Sequence, residues 1–233
     1  MKSALRSCLT LRYGAVAAIR NIVFTLFFAI SVVLGLMAPA FAQMPRVLAL
    51  GDSLTAGYGL PQGEGFVPQL NAWLAANGAE AEVINAGVSG DTTAGGAARL
   101  EWSLAEGAEA LIVNLGGNDL LRGLPPAEAR ANLTKIMEIA KAKGLPVLLV
   151  GMVAPGNFGA DYKAEFEAIY PELAAQFGAL LLPVYFAPIA TDEGGIDQSF
   201  MQPDGIHPNR EGVARIVAAM GPDVLALLAE IAK

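Results

Sequence analysis

From Arg46 onward the chain alternates between short apolar runs and longer stretches whose apolar residues recur at helical spacing. The apolar runs cover residues 47–50, 82–86, 110–115, 146–152 and 179–184, each bounded by Gly, Pro, Asn or Asp. Their length predicts strands. Several are apolar without alternation, the pattern of strands covered on both faces of a parallel sheet. Between them, residues 65–77 carry Phe66, Leu70, Trp73 and Leu74 at helical steps, and residues 126–143 set Leu133, Ile136, Met137 and Ala140 on one stripe. Residues 91–106 predict a further helix, with Ser89 and Asp91 offering capping oxygens at its entrance. Residues 161–177 repeat Tyr162, Phe166, Ile169, Leu173 and Phe177, with Pro171 expected to interrupt and bend the helix. Residues 209–231 predict one or two helices with a break near Gly221-Pro222.

Strand–helix alternation in units of this length predicts a doubly wound α/β sandwich. No repeat, low-complexity segment or long linker divides residues 43–233, which read as one domain. Sites in open α/β sheets form at the carboxyl ends of strands. Attention therefore falls on the turns after Leu50, Ala86 and Leu115.

The segment ahead of the first strand changes the picture of the whole. It opens with Lys2, Arg6, Arg12 and Arg20, holds no acid, continues in an uncharged apolar run over 22–37, and ends in Ala40-Phe41-Ala42. This is the pattern of a secretory signal peptide over residues 1–42, cut before Gln43; the alternative is an uncleaved membrane anchor. Removing its four cations takes the formal net charge from −7 to −11. A domain this acidic is not expected to bind nucleic acid, nor to insert stably in a membrane once the segment is cut. The one cysteine, Cys8, lies in that segment, so the remaining chain has neither disulfide nor thiol nucleophile. The one histidine is His207, and no His/Cys cluster suggests a metal.

Each turn is ambiguous alone. Gly51-Asp52-Ser53-Leu54 is followed by Thr55, so it is neither G-x-S-x-G nor G-x-G-x-x-G, and Ser53 reads first as a turn or N-cap serine. Gly90 precedes a helix and offers an N–H for an anion, or serves a tight turn. Asn118, in Gly116-Gly117-Asn118-Asp119, carries a neutral amide donor suited to a developing oxyanion, or forms an Asx-turn. Pro203-Asp204-Gly205 is a turn signal, yet a β-turn from Asp204 to His207 brings its ends within about 7 Å, so the carboxylate can reach the imidazole. Pro208 holds His207 outside the following helix, and His207 is the only side chain here whose ordinary chemistry is that of a neutral-pH base.

Together these stretches resemble the SGNH hydrolases, also called the GDSL lipase/esterase family. The matching elements are GDSL at 51–54, the glycine of SGDT at Gly90, GGND at 116–119 and DGIHPN at 204–209, in the family's order. The longer runs LGDSLTAGYG, NLGGNDLLRG, AIYPELA and MQPDGIHPN resemble its periplasmic acyl thioesterase, lysophospholipase and arylesterase subgroup. The resemblance implies a flavodoxin-like three-layer α/β/α fold with a five-stranded parallel sheet ordered 2-1-3-4-5. It implies Ser53 as nucleophile, His207 as general base and then acid, and Asp204 as the group that orients His207. It implies an oxyanion hole from the N–H of Ser53, the N–H of Gly90 and the amide of Asn118. It also implies a small acyl ester or thioester substrate and no metal or cofactor. Loop position near strand ends places the acyl pocket near residues 156–158 and 189–200. Substrate contacts are expected from Asp52, Gly117, Leu121, Phe158 and Ile206, and residues 118–124 are expected to move on binding. The protein is expected as a monomer or weak oligomer. The alternatives are a carbohydrate O-acetylesterase of the same fold and a binding module without turnover.

Overall fold

The computed structural model describes residues 44–231, together with Phe24. The expected signal peptide therefore lies outside the described residues. In chain order the elements are β1 (Arg46–Gly51), α1 (Ser53–Ala56), α2 (Phe66–Ala76), β2 (Glu82–Gly87), α3 (Thr93–Ser103) and β3 (Ala110–Asn114). They continue with α4 (Gly117–Leu121), α5 (Pro126–Ala142), β4 (Val147–Val150), α6 (Ala160–Phe177), β5 (Leu180–Leu182) and α7 (Arg210–Ile231).

The five strands form one sheet in the order β2-β1-β3-β4-β5, every pair parallel. The fold is α/β, with the order the resemblance implied. Parallel neighbours need crossovers, so helices cover both faces. α2 packs with α7, and α3, α5 and α6 pack in a row as a second helical group. The strand interiors are correspondingly buried: Val47 to Leu50, Ala110 to Val113 and Val147 to Val150 are at most 6 % exposed.

Register is what makes the site. Gly51 at the end of β1 pairs with Gly87 on one side and Asn114 on the other. The three chains thus leave the sheet side by side, at the place where the strand order reverses. Gly51 is required there by space: a Cβ would sit 2.0 Å from Thr55 Oγ1 and 2.9 Å from the Asn114 carbonyl. α1 can fold back onto β1 only because that atom is missing.

Several local expectations are corrected. α3 begins at Thr93, with Thr92 as its cap: the Thr92 hydroxyl accepts from the Gly95 N–H at 3.4 Å. Asp91 does not cap, because its carboxylate is drawn off to Arg99. α6 runs through Pro171 as one helix and ends at Gly178. α7 is likewise continuous across Gly221-Pro222. Gly221 is there for packing: a Cβ would lie 2.4 Å from the Trp73 ring, so the glycine lets α2 and α7 close on each other. α7 is long and apolar enough to cross a membrane, but its stripe of Val213, Ile216, Val217, Met220, Val224 and Leu227 is buried in this domain.

Candidate active site

Ser53 is the first residue of α1, immediately after Asp52, which caps the helix. Asp52 accepts from the Leu54 N–H at 3.0 Å through Oδ1 and from Asn118 Nδ2 at 3.1 Å through Oδ2. The carboxyl is 1 % exposed. Burial pushes its pKa up from 3.8 to about 6, against the two hydrogen bonds and the nearby His207, with Asp119 adding to the rise.

His207 approaches from the loop before α7. Its Nε2 lies 2.8 Å from Ser53 Oγ and its Nδ1 lies 2.7 Å from Asp204 Oδ2. Asp204 Oδ1 also accepts from the N–H groups of Ile206 and His207, at 2.9 and 3.0 Å. The turn is thus closed by the aspartate side chain. Hydrogen bonds from the His207 side chain and backbone, and from Ile206, hold the Asp204 pKa down at about 2. An ionised Asp204 accepts the Nδ1 proton, which leaves Nε2 as the acceptor for the Ser53 hydroxyl. The Tyr58 ring packs against His207 in a tilted arrangement, with centroids 4.7 Å apart and planes inclined by 39°.

The Gly90 turn is tied down on both sides. Gly51 O accepts from the Val88 N–H at 3.0 Å and from Arg99 Nη2 at 2.8 Å, while Arg99 Nε donates to Asp91 Oδ2 at 2.6 Å. Arg122 Nη2 donates to Gly90 O at 2.7 Å. Gly90 has φ +85, a conformation that glycine adopts without strain. Among the described residues the N–H groups of Ser53 and Gly90 have no acceptor. Asn118 commits an amide hydrogen to Asp52, which leaves its other one available. Beside it, Asp119 is 1 % exposed and accepts from both the backbone N–H and the hydroxyl of Thr93, at 2.8 and 2.7 Å. That pair locks the Asn118 segment to the start of α3. Tyr170 donates to Leu115 O at 3.0 Å and fixes the end of β3 from below.

A cavity of about 600 Å³ opens beside Ser53 and His207. Asp52, Gly117, Asn118, Leu121 and Ile206 line it, and Leu54, Met152, Val184, Tyr185, Ile196 and Met201 make it largely apolar. Of the expected loop segments, Gly156, Ala190, Gly194, Gly195 and Ile196 contribute. Phe158, expected as a contact, is not on the wall. It packs on Tyr162, centroids 5.0 Å apart, and over Gly123, where a Cβ would meet its ring at 2.7 Å. The motifs did not point to Tyr58, Arg99 or Arg122. Tyr58 meets the His207 ring, and Arg99 and Arg122 reach the carbonyls of Gly51 and Gly90, contacts distant in sequence that leave no periodic or spacing signal.

A hydroxyl, an imidazole and a carboxylate in line at the carboxyl edge of a parallel α/β sheet define a serine-type hydrolase architecture. The chain belongs to the GDSL-like lipase/acylhydrolase family, which it matches over residues 49–215. It is 42 % identical over 188 residues to the esterase TesA of Pseudomonas aeruginosa, covering 80 % of this chain and 91 % of that one. It is 39 % identical over 172 residues to thioesterase 1/protease 1/lysophospholipase L1 of Escherichia coli, covering 73 % and 78 %. Among solved structures, the SGNH-hydrolase family esterase AlinE4 matches with TM-score 0.66 and 44 % identity, over 81 % of this chain and 99 % of that one. The protein is an ester-hydrolysing enzyme of the serine type acting on small-molecule substrates.

Proposed function

We propose that Ser53 is the nucleophile of a two-step acyl transfer. The observation that carries this is the chain Ser53 Oγ–His207 Nε2–Asp204, with links of 2.8 and 2.7 Å. His207 takes the Ser53 proton as Oγ attacks the acyl carbon. The negative charge then falls on the former carbonyl oxygen, where the N–H groups of Ser53 and Gly90 and the free amide hydrogen of Asn118 receive it. Each such donor is worth on the order of 3 kcal/mol. His207 returns the proton to the leaving oxygen or sulfur, and the acyl group stays on Ser53. Water, deprotonated by the same imidazole, attacks the acyl-enzyme and releases the acid.

The apolar walls of the cavity favour acyl chains longer than acetyl, and so favour carboxylic esters, acyl thioesters or lysophospholipids over acetylated sugars. A chain-length series of aryl esters measures this preference, and a steep optimum at acetyl would reverse it. The positively charged, then apolar, then Ala-x-Ala pattern of residues 1–42 supports export to the periplasm or medium. The decisive test is Ser53→Ala: the purified variant keeps its fold by circular dichroism and loses hydrolysis of p-nitrophenyl butyrate. Turnover at the native rate would remove Ser53 from the mechanism.

A further inference from the structure

We propose that Gln202 is a positioning residue that holds the Ser53 loop and the His207 loop at their working separation; this rests on the roles given above to Ser53 and His207. Its side-chain amide donates to two carbonyls, Tyr58 O at 2.8 Å and Pro208 O at 3.0 Å. Its backbone N–H donates to His207 O at 2.7 Å, and its own carbonyl accepts from Gly205 at 2.9 Å. Tyr58 belongs to the nucleophile's turn, because the N–H groups of Gly57 and Tyr58 both donate to Ser53 O at 3.1 Å. A closed ring results: Ser53 to Tyr58, Tyr58 to Gln202, Gln202 to His207, and His207 back to Ser53. Among the described residues, only this amide and the Ser53–His207 pair join residues 53–59 to 201–209 by side-chain hydrogen bonds.

Each loop has its own anchors without that amide. Asn209 donates to Ser199 O and Met201 O and accepts from the N–H groups of Glu211 and Gly212, and Met201 bridges Pro208. Asp52 caps α1. What the amide adds is the relation between the two loops, and with it the seat of Tyr58 against the imidazole. The contact is tight: a Cβ on Gly59 would lie 2.1 Å from Gln202 Oε1. Two N–H donors facing two carbonyls are the requirement. Methionine matches the volume without donors, and glutamate presents only acceptors to both carbonyls.

The test compares native protein, Gln202→Met and Gln202→Glu by steady-state hydrolysis of p-nitrophenyl butyrate, rate of Ser53 labelling by a fluorophosphonate, and thermal unfolding. Displacing a reacting pair by up to about 1 Å costs about tenfold to a hundredfold. Both variants should lose that factor in kcat and in labelling rate, with KM within about threefold and Tm within about 4 °C of native. A methionine variant with native kcat overturns the proposal, because packing alone then suffices. A kcat loss matched by a larger fall in Tm also overturns it, because the role is then structural. Absence of labelling in the native protein would instead overturn the serine mechanism, and the role of Gln202 with it.

Discussion

Asp52→Asn removes a buried charge without removing the shape that surrounds it. In the native protein the carboxyl is almost fully buried, and its pKa is raised from 3.8 to about 6, chiefly by that burial. The folded-state value lies above the unfolded one, so this group's contribution to stability is complete below 3.8 and is lost as pH rises through about 6. The displacement corresponds to about 3 kcal/mol of destabilisation once both states are ionised. Asparagine carries no such charge. Its single carbonyl can serve either Asn118 or the Leu54 N–H, but not both, and the abandoned donor costs about 1–3 kcal/mol. Near pH 7.5 the two effects roughly cancel, and native and variant should unfold in urea with similar free energies. Between pH 7.5 and 4.5 the native protein should gain about 2 kcal/mol over the variant. Other carboxylates titrate alike in both proteins and drop out of the difference. Stability curves that run parallel over this interval would refute the account.

Three further outcomes follow from the geometry. Asn118→Ala removes a proposed oxyanion donor and should cut kcat about 10²–10³-fold with little change in KM, read on an aryl ester. Asp204→Asn should cost on the order of 10⁴ in kcat by leaving His207 in the wrong tautomer. Because native Asp204 stays ionised down to about 2, that loss should be uniform across neutral pH rather than confined to one limb of the profile. Gly116→Ala places a Cβ 2.1 Å from the Tyr170 hydroxyl at φ +121, breaking the bond to Leu115 O. Strain and lost bond together should lower unfolding stability by about 3 kcal/mol, measured in urea.

The strands were legible because a parallel strand covered on both faces is a plain apolar run. The same signal overran the last two. Residues 146–152 and 179–184 read as strands, but pairing covers only Val147–Val150 and Leu180–Leu182. Met152 and Val184, just beyond, are apolar for the cavity rather than for the sheet. Gly221-Pro222 looked like a break because nothing local tells a packing glycine from a terminating one; the Trp73 ring that requires it lies far back in the chain. The five polar groups at the centre of the site sit in compact motifs, each beside a turn. Their supports do not: Arg99 reaches Gly51, Arg122 reaches Gly90, and Asp119 reaches Thr93. Such contacts exist only once the sheet has brought distant turns together.

The aligned exits of β1, β2 and β3 carry a consequence for biosynthesis. Ser53, Gly90, Asn118 and His207 are supplied by four separate stretches of chain, so an unfolded or half-assembled molecule holds only an ordinary serine. Parallel sheets assemble from distant contacts and are slow to form. Reactivity should therefore arrive late, after the strands have docked and the final loop has closed. On the roles proposed for these residues, a chain still being made should spare surrounding esters. The rate at which Ser53 becomes labelled during refolding should report when β1, β2, β3 and the His207 loop have come together.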